Sequence, residues 1–179
     1  MRPITATVTC QPGEMEDEVL AIRHRLPLLI SARCSSTVTW VARRIHAAAL
    51  GPAAPLVTFP ASELLEDREQ FAEQWRLLMH AGRGGSILIT DIEQMPGAAQ
   101  TLLAESLKQP DATASALAAR LITGTAVSLI DRVRSGQFSE DLLYRVNLIH
   151  LHRGEGWDPG VLRYDGAERR AGCPQDKAF

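Results

Sequence analysis

The sequence predicts a three-layer α/β/α domain built on a parallel β-sheet. Short apolar runs show no polar alternation, which is typical of strands that are covered on both faces. Between these runs lie longer segments in which apolar residues recur at helical spacing. Strands that alternate with helices in this way form right-handed crossovers, and such crossovers place helices on both faces of a parallel sheet.

The first half of the chain contains the clearest periodic segments. Residues 14–24 have helical periodicity, and residues 26–31 form the first continuous apolar run. Residues 37–50 predict a second helix, and residues 55–59 predict a second strand. Ser62 is then a candidate N-cap for a long helix. We expect the apolar stripe of that helix to pack on the sheet rather than to bind a partner, and it comprises Leu64, Leu65, Phe71, Trp75, Leu78 and Met79.

The second half continues the alternation before the pattern is lost. Residues 87–90 predict a third strand, residues 98–108 a helix, and residues 120–124 a fourth strand. From residue 152 onward, glycines interrupt a charged stretch in which no helical or strand period can be followed. We therefore predict a folded domain over residues 1–151 and a poorly ordered tail over residues 152–179.

Composition excludes several classes of function. With 19 basic and 21 acidic residues the net charge is -2, and no basic stripe is present, so we expect no direct DNA binding. The 3 cysteines and 5 histidines show neither metal-ligand spacing nor a secreted disulfide framework, so no metal site is predicted. Since no apolar run approaches about eighteen residues and no signal peptide is recognisable, we expect a cytoplasmic protein without membrane contact.

The loop after the first predicted strand is the expected ligand site of a parallel α/β domain. A phosphate cradle needs glycines, which let successive backbone N–H groups turn toward one anion, and a lysine that neutralises charge. Residues 32–39, with the sequence ARCSSTVT, contain neither. Ser35, Ser36 and Thr37 could still donate hydrogen bonds to an anion at a helix N-terminus, but we favour an ordinary capped helix start.

Three later segments carry a family resemblance. Residues 84–92 resemble the Walker B region of sigma-54-dependent transcriptional activators, which are AAA+ ATPases. Residues 120–125 look like the sensor I strand of that family, and residues 136–147 resemble its arginine-finger segment, which is the most specific match. The resemblance covers roughly residues 14–151 and implies a P-loop NTPase core of the AAA+ type.

Carried over by position, the resemblance places the Walker A motif on the glycine-free loop. The Walker A lysine of the family falls on Val38, and its glycines fall on Ala32, Ser35 and Thr37. The resemblance therefore implies a vestigial nucleotide site. Its Walker A positions are Ser35, Ser36, Thr37, Val38 and Thr39.

The catalytic positions of the family are also altered. The Walker B aspartate, which helps to hold magnesium, falls on Thr90, and the glutamate that polarises the attacking water is shortened to Asp91. The sensor I asparagine falls on Ala126, and one of the two finger-region arginines falls on Ser139. The polar residues that persist as vestigial catalytic positions are Asp91, Thr125 and Arg145.

Two of these persisting residues have simple structural alternatives. Asp91 is either a surviving catalytic acid or a polar residue at a strand end, and we favour the second because a carboxylate needs a positioned triphosphate to act on. Arg145 is either a finger that acts across a subunit boundary or a surface arginine in a local salt bridge, and we again favour the second.

The partner-binding elements of the family are not recognisable either. The Gly-Ala-Phe-Thr-Gly-Ala loop, which contacts the sigma factor, has no counterpart between Phe59 and Gly84. The helical lid and the DNA-binding helix-turn-helix that usually follow in the family are not recognisable in this sequence, so we expect neither. Because the lid and the fingers build the subunit boundary in the family, we expect a monomer or small oligomer that binds a related activator or regulatory protein.

Three functional hypotheses follow. The first is a pseudo-ATPase that binds neither ATP nor magnesium and acts, if at all, as a protein-interaction module in transcriptional regulation. The second is a functional ATP-dependent sigma-54 activator domain that tolerates the substitutions. The third is a decayed or frame-shifted gene product, which the loss of pattern after Leu151 suggests.

Overall fold

The computed structural model of the chain describes residues 12–108 and 118–154. Its strands are β1 (Leu28–Ala32), β2 (Leu56–Pro60), β3 (Ser86–Thr90), β4 (Arg120–Thr125) and β5 (Ile149–Arg153). Its helices are α1 (Pro12–Arg23), α2 (Ser35–Leu50), α3 (Arg68–Ala81), α4 (Gly97–Ser106), α5 (Leu129–Arg134) and α6 (Glu140–Val146). Short 3-10 turns at Ala61–Glu63 and Ile92–Gln94 follow β2 and β3.

The strands form one parallel sheet in the order β2-β3-β4-β1-β5. Leu28 of β1 pairs with Ile122 of β4 on one side and with Ile149 of β5 on the other. Each described connection between strands contains a helix, as parallel pairing requires. The predicted α/β class and parallel sheet are confirmed.

The sheet separates two apolar layers. Along β1, Leu28 and Ile30 point into the layer that contains α2, whereas Leu29 points into the layer that contains α3, α4 and α6. All three side chains are at most 3% exposed. Covering on both faces explains why β1 is a continuous apolar run without alternation.

The predicted start of the third helix is wrong. Ser62 lies in the 3-10 turn, and α3 begins at Arg68 with Asp67 as its N-cap. The Asp67 carboxylate accepts hydrogen bonds from the N–H groups of Glu69 (3.1 Å) and Gln70 (3.0 Å). A cap that satisfies two otherwise unpaired donors stabilises the helix start at this position, which Ser62 does not do.

The predicted apolar stripe is correct only in part. Phe71, Trp75 and Leu78 form the inner face of α3. Leu64 precedes the helix but is still buried, whereas Leu65 is 40% exposed. The stripe therefore packs on the sheet from Phe71 onward.

Helices α5 and α6 and strand β5 have no counterpart among the predicted elements. α5 and α6 are only 6 and 7 residues long, which is too short for a clear helical period. β5 is an edge strand and extends to Arg153, past the predicted domain boundary at residue 151. The rest of the predicted tail, and the region where a lid would follow, lie outside the described residues.

Two glycines make the turn between α3 and β3. Gly84 has a positive φ of 75°, which favours glycine. A Cβ atom on Gly85 would lie 1.9 Å from the carbonyl oxygen of Pro55, so this position requires glycine for a close backbone approach. Within the described part of the chain, no helix combines the length and apolar character needed to span a bilayer.

Candidate functional site

A surface depression lies beside the start of α2, the edge strand β2 and the end of β3. Its volume is about 480 Å³. Residues from α2, β2 and the end of β3 line it, namely Ser35, Ser36, Thr39, Trp40, Arg43, Thr58, Thr90 and Asp91. The depression is therefore at the edge of the sheet where ligands of parallel α/β domains bind.

The helix that borders this depression begins early. Only Arg33 and Cys34 separate the end of β1 from Ser35, the first residue of α2. Cys34 is the N-cap residue with extended backbone angles, and its carbonyl oxygen accepts a hydrogen bond from the N–H of Val38 at 3.2 Å. The hydroxyl of Thr39 donates to the carbonyl oxygen of Ser35 at 2.9 Å. Residues 35–38 are thus the first turn of a helix rather than a loop.

Val38 faces the sheet rather than the depression. Its side chain is 1% exposed and belongs to the apolar layer between α2 and the sheet. A Cβ atom built on Gly124 of β4 would lie 2.1 Å from Cγ1 of Val38. The absence of a side chain at Gly124 is what allows α2 to approach β4 so closely.

Asp91 directly follows β3 and has a left-handed backbone conformation, with φ of 51° and ψ of 49°. Aspartate tolerates this conformation better than most residues. Its carboxylate accepts a short hydrogen bond from the hydroxyl of Ser35. This contact joins the first residue of α2 to the end of β3 and engages one carboxylate oxygen.

Thr125 at the end of β4 is directed inward. It is 1% exposed, and its hydroxyl donates to the carbonyl oxygen of Val127 (3.0 Å) and accepts from the N–H of the same residue (3.1 Å). The N–H of the neighbouring Ala126 donates to the Glu93 carboxylate at 3.4 Å. Thr125 is not among the described residues that line the depression.

Arg145 lies on α6 and pairs with a carboxylate of its own helix. Its Nη2 atom is 2.9 Å from Oδ1 of Asp141, and Lys108 is 3.0 Å from the other carboxylate oxygen. Hydrogen bonds from Lys108 and then from Arg145 hold the pKa of Asp141 below its usual value. This is the local salt-bridge geometry that the sequence analysis favoured, while the role of Arg145 stays a prediction.

Sequence reasoning did not single out three of the residues that line the depression. Trp40 and Arg43 extend from Ser36 along one face of α2, and Thr58 lies on β2. The guanidinium of Arg44 lies 5.5 Å from the ring centroid of Trp40. The signal that could have identified the α2 residues is their helical spacing from the loop.

A buried glutamine holds the segment before α6. The side-chain amide of Gln100 donates to the carbonyl oxygens of Met95 (2.9 Å) and Gln137 (3.4 Å). Its carbonyl oxygen accepts from the N–H of Ser139 at 2.7 Å. Ser139, which aligns with a finger arginine in the resemblance, is the N-cap of α6, and its hydroxyl accepts from the N–H of Leu142. The segment before α6 is therefore positioned by polar contacts with Gln100 of α4.

Comparison with curated proteins identifies a related regulator. Over 75 residues the chain is 35% identical to the alginate biosynthesis transcriptional regulatory protein AlgB of Pseudomonas syringae pv. tomato. That alignment covers 38% of this chain and 17% of AlgB. The chain therefore matches only a small part of this relative.

Solved structures show the fold. NtrX from Brucella abortus in complex with ATP has a TM-score of 0.63 and 19% identity, covering 85% of this chain and 38% of NtrX. The P-loop NTPase domain of a sigma-54 transport activator from E. coli has a TM-score of 0.53 and 17% identity, covering 73% of this chain and 98% of that domain. RuvB from Thermotoga maritima has a TM-score of 0.54 and 18% identity, covering 80% of this chain and 45% of RuvB.

These matches agree with the geometry described above. The five-stranded parallel sheet is that of AAA+ P-loop NTPase domains. The sequence model of the sigma-54 interaction domain matches residues 72–152, from α3 to β5. The chain has an AAA+ P-loop NTPase fold, and in the matched segment it is similar to sigma-54 interaction domains.

Proposed function

We propose that this sigma-54 activator-type domain binds no magnesium ATP and acts as a protein-interaction module in transcriptional regulation. The observation that carries the proposal is the position of Val38, which packs on Gly124 where the resemblance places the Walker A lysine. A side chain buried under the helix supplies no positive charge to a phosphate. The residues present therefore do not fit a Walker-type nucleotide site.

The surrounding residues support the same proposal. Because residues 35–38 are helical, the N–H of Val38 is bonded to Cys34 instead of turning toward an anion. A hydrogen bond from lysine to phosphate contributes about 1.5–3 kcal/mol, and this contribution is lost here. Thr90 offers no carboxylate to a magnesium ion, and the carboxylate of Asp91 is already engaged by Ser35.

Isothermal titration with magnesium ATP tests the proposal. We expect no saturable heat up to millimolar nucleotide. Thermal unfolding provides a second readout, because a ligand at 100 times its dissociation constant stabilises a folded protein by about 2.7 kcal/mol. We therefore expect an unchanged melting temperature in nucleotide. The E. coli sigma-54 activator domain, measured in the same way, is the positive control, and micromolar binding by the present chain would contradict the proposal.

The expected partner is a related activator or regulatory protein inside the cytoplasm. The support for this is the preserved scaffold: the core of the fold and the buried Gln100 contacts are intact, although the nucleotide positions are substituted. Between β2 and β3, residues 61–85 hold only a 3-10 turn and α3, so no inserted loop for a sigma factor lies there. Sedimentation of the chain alone and mixed with an intact sigma-54 activator domain tests whether the two proteins bind each other. If each protein sediments in the mixture as it does alone, the proposed partner is contradicted.

A second candidate is a functional ATP-dependent sigma-54 activator domain. The observation that favours it is the depression of about 480 Å³, which lies next to the start of α2 and contains Asp91. NtrX, which shares the fold, has been solved with ATP. Micromolar binding in the titration above would favour this candidate. A decayed gene product remains the third, and cooperative unfolding of the purified chain would argue against it.

A further inference from the structure

A serine on β1 and two histidines on the adjacent edge strand β5 meet on one face of the sheet, apart from the depression described above. In the register of β1 and β5, Leu29 pairs with His150 and Ser31 pairs with His152. Residues two apart on a strand point to the same face, so Ser31, His150 and His152 share one face. Both histidines are exposed.

The two imidazole rings converge on one oxygen atom. Nε2 of His150 lies 2.6 Å from Oγ of Ser31, and Nδ1 of His152 lies 3.1 Å from the same atom. The ring centroids are 6.3 Å apart with an interplanar angle of 76°. A hydroxyl has a single proton, so it can donate to only one of these ring nitrogens, and the other nitrogen must itself donate. A metal cation can accept a lone pair from each of the two ring nitrogens, and neither nitrogen then needs a hydrogen bond with the hydroxyl.

We propose that Ser31, His150 and His152 form a binding site for a divalent late transition metal ion of the Zn²⁺, Ni²⁺ or Cu²⁺ class. Two neutral imidazole nitrogens are the principal ligands, and the Ser31 hydroxyl and water complete the coordination. Imidazole suits these ions, whereas Mg²⁺ and Ca²⁺ prefer carboxylate and carbonyl oxygens.

The distances are close to those of a coordination shell. Ligands about 2.1 Å from a tetrahedral zinc ion lie about 3.4 Å from one another. In the structure the nitrogen to oxygen distances are 2.6 and 3.1 Å, so the two rings must rotate away from Ser31 to admit the ion.

The chemistry of the site sets its strength and selectivity. In the described parts of the chain, no group of three or more His, Cys, Asp or Glu side chains is placed to hold a metal ion. A site with two histidines should therefore bind more weakly than a structural zinc site. Affinity should follow the Irving–Williams order, with Cu²⁺ above Ni²⁺ and Zn²⁺.

Calorimetric titration of the tag-free chain with CuCl₂, NiCl₂, ZnCl₂ and MgCl₂ tests the proposal. We expect one ion per chain for the first three and no saturation with MgCl₂. His150→Gln and His152→Gln should each weaken Ni²⁺ binding at least about tenfold, since removing a ligand should cost no less than removing an outer-shell partner. His24→Gln and His80→Gln are matched controls at exposed positions and should retain the wild-type affinity.

NMR gives a second readout that does not depend on the variants. Substoichiometric Ni²⁺ should broaden the ring proton signals of His150 and His152 before those of His24 and His80. The absence of saturable binding, equal losses in all four variants, or equal broadening of all four rings would each overturn the proposal. Because nucleotide takes no part in either measurement, the outcome is independent of the proposed function.

Discussion

Replacing Val38 by lysine tests directly whether this position belongs to the core or to a nucleotide site. Val38 is 1% exposed and lies against Gly124. Each buried methyl group that is removed lowers the free energy of unfolding by about 0.8 kcal/mol. An ammonium group placed under the helix lowers it further, because an unpaired charge is then buried. We expect the free energy of unfolding to fall by about 3–5 kcal/mol. That loss is a large part of the total stability of an ordinary domain, about 5–15 kcal/mol.

Urea denaturation followed by circular dichroism measures the loss. Two further variants separate its causes. Val38→Ala removes packing without adding charge and should cost about 2 kcal/mol. Ser36→Lys adds the same charge two residues earlier on α2, where the side chain is exposed, and should change stability by no more than about 0.5 kcal/mol.

Val38→Lys could instead leave the stability unchanged and create a nucleotide site. If Val38→Lys unfolds at the wild-type urea concentration and gains micromolar affinity for magnesium ATP, the side chain at position 38 can turn into the depression. The start of α2 would then be convertible to a phosphate-binding loop by a single substitution. The contact with Gly124 would then not fix the side chain at position 38 in the core.

Two other predictions concern the segment around α6. Gln100→Leu should lower the free energy of unfolding by about 1–3 kcal/mol, because the buried N–H of Ser139 and the carbonyl of Met95 lose their hydrogen-bond partner. Urea denaturation measures this loss, and a change below about 0.5 kcal/mol would contradict the prediction. The folded-state pKa of Asp141 lies below its usual value of 3.8, so its contribution to stability is present above that value and is lost as the pH falls through the folded-state pKa. Asp141→Asn should therefore weaken the pH dependence of the melting temperature below about pH 4, and an unaltered profile would contradict this.

Much of the fold could be predicted from the sequence because it depends on neighbours along the chain. The continuous apolar runs in β1 and β3 reflect strands covered on both faces. Where two local signals compete, the prediction fails. Ser62 and Asp67 are both good N-cap residues, and the helix begins after Asp67. The side chain of Gln74 holds the preceding segment outside the helix, because it forms hydrogen bonds with the N–H of Leu65 and the carbonyl oxygen of Glu63.

The candidate site depends on contacts that no local pattern specifies. The hydrogen bond between Ser35 and Asp91 joins residues 56 positions apart, and the contact between Ser31 and His150 joins residues 119 positions apart. Such pairs meet only when the order of the strands places their elements side by side. The direction of Thr125 is likewise set by its bonds to Val127 within the folded chain.

The sequence by itself determined the alternation of strands and helices and the absence of glycine and lysine from the loop after β1, since both are properties of consecutive residues. Only the tertiary structure decided that α2 begins at Ser35 and that Val38 packs on Gly124. The physical reason is that burial of an apolar side chain depends on what lies across the interface. Here the partner surface is β4, which the chain reaches only after two further strands.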